Sequence, residues 1–274
     1  MKIDAHVHVG GERVGFQMNE TMILEAMKTY HIDYVIVSNG DAVEADHQQN
    51  ILPKEMQVTQ EAALERVIRF ARQNTGKIGV AAWVKPLHQQ PTEELEKMIR
   101  ENLDIVHAIK LHPVHSALSP IDKRVIPYLE LAVKYHLPVI SHTAASKEAS
   151  VNYMYEAAKR YPSIPFIMAH MGLETDNKEA LDTLGKTDNL YGDTAWVPMN
   201  STIEAINRYG SKKMLFGSDM PIDGTDTYLC NPKGERSIYQ DYFHVLPKRI
   251  EQEAYQDLMY ANAVKVFRLK QFMK

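Results

Sequence analysis

Histidines and acids recur in this chain where short apolar runs end. The first run, "KIDAHVHV" at positions 2–9, holds Asp4, His6 and His8 in alternation with apolar residues. Side chains two residues apart on a strand share a face and lie about 6.6 Å apart along it, so two imidazoles there can converge on one cation. An H-x-H pair is also common on exposed edge strands, so it indicates a site only with further ligands. Strict alternation places the apolar residues on the opposite face, packed against helices: Ile3, Ala5, Val7 and Val9.

Further candidate ligands stand at the ends of later apolar runs. They are His142 in "LPVISHT", His170 in "IPFIMAHM" and Asp219 in "KMLFGSDM". Each one alone has an ordinary structural interpretation, such as a hydrogen-bonded core histidine or a capping aspartate. Buried imidazoles and carboxylates are costly unless they are paired or bound to a metal, so their recurrence at strand ends favours one shared site.

Imidazole and carboxylate groups together are typical zinc ligands, and catalytic zinc keeps a position open for water. The expected ligands of a divalent metal ion, with zinc the first choice, are His6, His8, His142 and Asp219. Such an ion lowers the pKa of bound water from about 15.7 towards about 7. Asp219 is expected to be catalytic as well, by accepting the proton of that water. His170 is the second expected catalytic residue, which polarises the substrate or orients the water.

Three more residues at the strand ends are candidates for a second metal or for substrate binding, together with His170. Lys110 and His112 end the run "IVHAIKLH", and Trp196 ends "NLYGDTAW". Lys110 has three possible roles: an ammonium that binds a substrate carboxylate, a carbamylated bridge between two metal ions, or a partner of a nearby acid. Trp196 either lines the pocket or packs at its rim. Asp4 is interpreted as structural support beneath the site, whereas the roles of His107 and His115 stay open.

The elements that must position these residues alternate between strand and helix. Alternation of this kind predicts a parallel sheet with helical crossovers, and eight units in about 220 residues favour closure into a (β/α)8 TIM barrel. An open doubly wound sheet is the alternative, but the first strand is not followed by a G-x-G-x-x-G phosphate loop. Active sites of such barrels lie at the carboxyl ends of the strands. The strand-like runs are 2–9, 33–39, 77–84, 105–112, 137–143, 164–171, 189–196 and 213–220.

Helices are predicted between these runs from apolar residues at three- and four-residue spacing. Asn19, Thr59 and Thr92 are expected to cap the first three. Residues 39–58 form the longest connection without a helical pattern, and connections of that length are often functional or mobile. The later helices are expected within 122–136, 147–161, 178–186 and 200–210.

Composition narrows the class of protein. The chain has 274 residues and is interpreted as one domain over 1–274, because α/β barrels often reach this length. Its 31 basic and 35 acidic residues are well mixed, so we do not expect nucleic-acid or membrane partners. We expect the substrate to be a small molecule. The single cysteine, Cys230, rules out an internal disulfide and favours a cytoplasmic location. We recognise neither a signal peptide nor an apolar run of about 20 residues that could span a membrane.

With these residues in view, the chain resembles the amidohydrolase superfamily, most closely the branch that groups aminocarboxymuconate-semialdehyde decarboxylases with lactonases and other hydrolases. The resemblance spans essentially the whole chain and rests on "IDAHVHV", "IKLHP", "PVISHT", "IMAHMG", "FGSDMP" and the closing "MYANAVKVFRL". It implies the barrel fold and one or two divalent metal ions, usually zinc, on the four ligands named above. It also implies that His170 is catalytic or near a second metal. Binuclear relatives often carry a carbamylated lysine at a place comparable to Lys110, and relatives often form dimers, so a homodimer is compatible with it.

Two enzyme functions and one other function follow as hypotheses. The first is a metal-dependent hydrolase in which activated water attacks an amide, lactone or ester carbonyl of a small molecule. The alternative is a metal-dependent non-oxidative decarboxylase, a lyase acting on an aromatic or unsaturated acid. A non-catalytic metal-binding protein on the same fold ranks third because the ligand set is intact.

Overall fold

Eight parallel strands with helices between them form a (β/α)8 barrel in a computed structural model, which describes residues 1–222 and 238–273. The strands are hydrogen-bonded in sequence order, as the alternation of strand and helix predicts. They are β1 (Ile3–Val9), β2 (Tyr34–Asn39), β3 (Ile78–Trp83), β4 (Val106–Leu111), β5 (Val139–Ala144), β6 (Phe166–Leu173), β7 (Leu190–Asp193) and β8 (Met214–Leu215).

The segment after the short strand β8 closes the sheet onto β1. The backbone N–H of Ala5 donates to the Phe216 carbonyl at 2.9 Å, and that of His8 donates to the Met220 carbonyl at 2.9 Å. The Asp219 N–H donates to the His6 carbonyl at 2.8 Å. Residues 216–220 therefore follow β1 without forming a regular strand, so the expected strand 213–220 is mostly irregular. The expected strand 189–196 likewise ends early, at Asp193.

An irregularity in β1 changes which of its residues face the interior. Asp4 pairs with Val35 but Val7 pairs with Val37, so β1 has one extra residue between these pairs. A bulge of this kind reverses the alternation of side chains. The prediction that one face holds every apolar residue of β1 is therefore wrong. Val7 and Val9 pack outward against helices as expected, but Ile3 and Ala5 belong to the cluster inside the barrel.

The first three helices begin where the capping residues predict. The side chains of Asn19, Thr59 and Thr92 each accept a hydrogen bond from a backbone N–H of the first turn, which satisfies one donor that the helix leaves unpaired. The helices up to β8 are α1 (Glu20–Tyr30), α2 (Gln60–Gln73), α3 (Glu93–Glu101), α4 (Pro113–Ser116), α5 (Ile126–Tyr135), α6 (Val151–Arg160), α7 (Lys178–Leu184) and α8 (Met199–Tyr209). In the described part of the chain, no helix combines the length and the apolar character that crossing a bilayer would need.

Short helical segments complete the chain. After residue 237 the structure has α9 (Ile238–Gln240), α10 (Gln252–Gln256) and α11 (Asn262–Val266), with π-helical turns at Asp241–Val245 and Asp257–Ala261. The 3-10 turns lie at Glu12–Val14, Gly40–Ala42, Lys54–Met56, Ser211–Lys213, Leu246–Lys248 and Lys270–Phe272. Two of these turns fall in the long 39–58 connection, which otherwise lacks regular helix as predicted.

Two apolar clusters fix the strands in place. The larger lies between the outer face of the sheet and the helices. The smaller fills the barrel, where Tyr34, Ile140 and Ile167 pack with Phe267 and Leu269 of the C-terminal segment. The amino end of the barrel is thus a closed apolar floor, and the polar residues of the strands are left at the carboxyl end.

Candidate metal centre and pocket

Three of the four expected ligands meet at the carboxyl end of the barrel. The Nε2 atoms of His6 and His8 lie 3.0 Å apart. The Oδ1 atom of Asp219 lies 2.9 Å from Nε2 of His8 and 3.3 Å from Nε2 of His6. All three side chains are buried. The β1 bulge keeps both imidazoles on the inner face, and the backbone bond from Asp219 to His6 aligns the acid with them.

The carboxylate of Asp219 fits a bound cation. Its Oδ1 atom is fully buried and makes no hydrogen bond of acceptable geometry, although two imidazole nitrogens lie close by. A buried polar atom without a partner costs about 1–3 kcal/mol, and more when it is charged. The Nε2 atoms of His6 and His8 and Oδ1 of Asp219 converge on one point, and each of the three can donate an electron pair to a cation. The arrangement is therefore suited to a divalent metal ion.

Lys110 places a positive charge at the same point. Its ammonium lies 2.8 Å from Nε2 of His6 and is buried at the end of β4. Burial lowers the pKa of Lys110 to about 8, while Asp219 and Asp193 act in the opposite direction. A cation at this point is thus stabilised by two acids.

The Nδ1 atoms of His6 and His8 contact two residues that the sequence pattern did not predict. Asp193, at the end of β7, places Oδ2 2.7 Å from Nδ1 of His6. Ser38, near the end of β2, places its hydroxyl 2.8 Å from Nδ1 of His8. Partners of this type orient metal-binding histidines and direct their free nitrogen towards the ion. Acids at the ends of predicted strands are candidate ligands. Asp193 would be among them if the predicted strand 189–196 ended at Asp193, as β7 does.

His170 lies at the centre and has a backbone conformation that is rare for residues other than glycine. It has a φ of 70° and the next residue, Met171, a φ of 48°, both in the left-handed region that non-glycine residues rarely adopt. Such residues concentrate at functional sites. Among the described residues, His6, His170 and Asp219 form the group whose potential ligand atoms all lie within 4.8 Å of one another.

The imidazole of His142 is separated from that of His6 on β1 by the ring of His170. Its imidazole stacks on that of His112 at 4.1 Å between centroids, and meets that of His170 edge to face at 4.7 Å. His112 in turn stacks on Trp83 at 5.1 Å. His142 therefore reaches the centre by way of His170, and its role as a metal ligand stays a prediction.

Trp196 contacts the centre directly. It has a φ of 60°, and its indole Nε1–H donates to Oδ2 of Asp219 at 2.8 Å. Asp219 itself has a φ of 65°. Two strained residues are thus joined by a hydrogen bond, which fixes the carboxylate with Oδ1 turned towards the imidazoles.

Burial controls protonation throughout the centre. Desolvation lowers the pKa of the six imidazoles of His6, His8, His112, His115, His142 and His170, which favours the neutral form, the one that can bind a metal. Burial raises the pKa of Asp193 to about 6. Burial acts on Asp219 in the same direction, but the imidazoles of His6, His8 and His170 hold its pKa below the usual value.

A pocket of about 310 Å³ opens above the centre. Loop residues 10–18 and 40–47 form one side of it, so part of the long connection after β2 lines the pocket. His115 supports this loop, since its Nδ1 lies 2.7 Å from the Ala45 carbonyl. The lining is mostly apolar and aromatic, and includes Val14, Phe16, Met18, Val43, Trp83, Leu173, Trp196 and Ile222 around His8, His170 and Asp219.

Two residues considered in the sequence, His107 and Asp4, lie away from the ligand atoms. His107 is buried in the barrel floor, where its Nε2 lies 2.9 Å from the Tyr34 hydroxyl. Asp4 accepts hydrogen bonds from the backbone N–H groups of His6 and Ser218, and so supports β1 beneath the centre. Cys230 lies outside the described residues.

Comparisons with known proteins agree with this fold. The model of the amidohydrolase family matches residues 3–269. The structure is similar to 2,6-dihydroxybenzoate decarboxylase from Rhizobium (TM-score 0.68, 15% identity, 98% of this chain and 99% of that chain). It is also similar to 5-carboxyvanillate decarboxylase from Sphingomonas paucimobilis (0.67, 13%, 97% and 98%) and to 4-oxalomesaconate hydratase from Rhodopseudomonas palustris (0.65, 16%, 99% and 97%). These identities support a common fold. A search of curated proteins found no match.

Proposed function

This chain belongs to the amidohydrolase family, and on that premise we propose that it is a metal-dependent hydrolase acting on an amide, lactone or ester carbonyl of a small molecule. Members of the superfamily generally depend on divalent metals. The observation that carries the proposal is the convergence of the His6 and His8 Nε2 atoms on the unpartnered Oδ1 of Asp219, at the base of a pocket.

The residues that would hold the ion are His6, His8 and Asp219, with His170 and His142 completing the set. Nitrogen and oxygen donors of this kind suit zinc. An ion bound there supplies Lewis acidity, which lowers the pKa of water towards about 7.

Residues of the chain then transfer the proton and orient the reacting water. Oδ1 of Asp219 faces the centre and accepts the proton of the attacking water, then returns it to the leaving group. Trp196 holds the other oxygen, so the carboxylate keeps this orientation. Nδ1 of His170 lies 3.1 Å from the Ala195 carbonyl, which makes Nδ1 the protonated nitrogen and leaves Nε2 as an acceptor. His170 is therefore better placed to orient water or bind the metal than to donate to a developing negative charge.

The pocket limits the substrate to a small molecule. A volume of about 310 Å³ is at the lower end of ligand pockets. Apolar and aromatic side chains surround the centre, so they exclude water from the reacting groups and strengthen the electrostatic contacts there.

A second candidate is non-oxidative decarboxylation. The apolar lining favours it, because a carboxylate surrounded by Phe16, Trp83 and Trp196 becomes neutral CO2 while the remaining carbon takes up a proton. Two of the similar structures are named decarboxylases.

One screen separates the two reactions. The full-length chain, reconstituted with zinc or manganese, is tested on lactones, amides, esters and aromatic carboxylates, with acid release and CO2 release followed in parallel. We expect the wild-type chain to release a carboxylic acid from a lactone, amide or ester, and Asp219→Asn to abolish this release. Asp188→Asn, a change at an exposed acid far from the centre, should leave it intact. CO2 release without hydrolysis of any panel member would replace the hydrolase with the lyase.

A further inference from the structure

Asp193 contacts two parts of the candidate centre with its two oxygens. Oδ2 lies 2.7 Å from Nδ1 of His6. Oδ1 accepts the backbone N–H groups of His170 at 2.8 Å and of Ala195 at 3.2 Å. Asp193 is fully buried, so its carboxylate has no solvent to share. Because two backbone donors occupy Oδ1, the carboxylate is held with Oδ2 against His6.

We propose that Asp193 is a positioning residue that fixes His6 in the tautomer with its proton on Nδ1. This inference rests on the proposed metal-binding function. A carboxylate only accepts hydrogen bonds, so the His6 nitrogen that faces it must carry the proton. The other nitrogen, Nε2, is then a lone pair directed at the point where the ligand atoms converge, which is the state that binds a metal.

The opposite side of the His6 ring supports the same tautomer. The ammonium of Lys110 lies 2.8 Å from Nε2 of His6, and an ammonium only donates. Nε2 must therefore be an acceptor. A carboxylate at one nitrogen and an ammonium at the other leave a single tautomer that satisfies both contacts.

The second imidazole of β1 lacks this constraint. Nδ1 of His8 faces the hydroxyl of Ser38, which can donate or accept. His8 can thus adopt either tautomer at that contact, whereas His6 cannot. The fold also makes room for the Asp193 contact: a Cβ at Gly217 would lie 2.9 Å from Cβ of His6 and 3.2 Å from Oδ2 of Asp193.

The decisive variant is Asp193→Asn. The amide oxygen can keep the two backbone N–H groups, but the amide nitrogen then faces Nδ1 of His6 and donates to it. The proton of His6 moves to Nε2, which can no longer bind a metal. We expect the zinc affinity of the full-length chain to fall roughly 10- to 100-fold, the size of effect typical for outer partners of metal ligands. Asp257→Asn, the same change at a carboxylate that accepts from Ser211 away from the centre, is expected to keep wild-type affinity.

Ser38→Ala provides the comparison on the other imidazole. A loss of zinc affinity in Asp193→Asn that is no larger than the loss in Ser38→Ala would overturn the role of Asp193. A larger loss supports it.

A spectroscopic measurement decides the question even if Asp193→Asn does not fold. Nitrogen-15 NMR of the wild-type chain without metal reports the tautomer of each imidazole, and the His6 signals are assigned by their absence in His6→Ala. We expect the proton on Nδ1. A proton on Nε2 of His6 would refute the inference. Absence of zinc binding by the wild-type chain would instead contradict the proposed function, while the NMR result still decides the part played by Asp193.

Discussion

His107 tests how burial inside the barrel controls stability at low pH. It lies in the floor below the candidate centre, 6% exposed, with Nε2 2.9 Å from the Tyr34 hydroxyl. Burial lowers its pKa from 6.5 to about 4, and Asp104 opposes this only in part. Replacing it with glutamine keeps a polar group of similar reach for the tyrosine but removes the group that titrates.

The size and sign of the effect follow from proton linkage. The unfolded chain binds a proton at His107 below pH 6.5, whereas the folded chain binds it only near pH 4. The stabilising contribution is therefore present above pH 6.5 and is lost as the pH falls towards 4. One pKa unit corresponds to about 1.4 kcal/mol, so the full loss is about 3 kcal/mol and the loss at pH 5 is about 2 kcal/mol.

Urea unfolding at pH 7 and pH 5 measures this term. Between the two pH values, the wild-type chain should lose about 2 kcal/mol more of its free energy of unfolding than His107→Gln does. The other buried histidines affect both proteins equally and cancel in this comparison. His244→Gln, at an exposed histidine, should behave as wild type. An equal loss in wild type and His107→Gln would show that burial does not suppress protonation at the floor.

Two further substitutions test the close packing at Gly10 and the orientation of the Asp219 carboxylate. Gly10→Ala places a Cβ 2.3 Å from Oδ1 of Asn39 at a φ of 80°, and should lower the melting temperature more than Gly15→Ala, which has a φ of 92° but open space around it. The left-handed backbone alone costs about 1–2 kcal/mol, so equal effects would mean that the contact relaxes. Trp196→Phe removes the donor to Asp219, a bond to a charged group worth about 1.5–3 kcal/mol. It should lower kcat more than it raises KM, and an unchanged kcat would contradict the orientation assigned to Asp219.

The barrel was predictable because its signals are local. Apolar runs that end in polar residues predict buried parallel strands, and Asn19, Thr59 and Thr92 predict where the first three helices begin. The spacing of His6 and His8 follows from the strand repeat, and both imidazoles face the interior although the register of β1 shifts between Asp4 and Val7. The bulge has no signal in the sequence. The prediction that Ile3 and Ala5 face the helices was therefore wrong, since both lie inside the barrel.

The contacts between distant residues were not predictable in the same way. Ser38 and Asp193 reach the β1 imidazoles only after eight strands close into a barrel. A serine is not distinctive at a strand end, and Asp193 lies within the expected strand 189–196, not at its end. The left-handed backbone of His170 and Trp196 depends on tertiary packing that overrides local preference.

Metal content is the most direct test of the central claim. Wild type, His6→Ala, Asp219→Asn and the surface control Asp188→Asn are each dialysed against zinc, then against metal-free buffer, and analysed by mass spectrometry for bound zinc. Wild type and Asp188→Asn should retain at least one ion per chain, whereas His6→Ala and Asp219→Asn should lose it together with activity. Full retention of zinc by either of those two variants would contradict the metal centre described here.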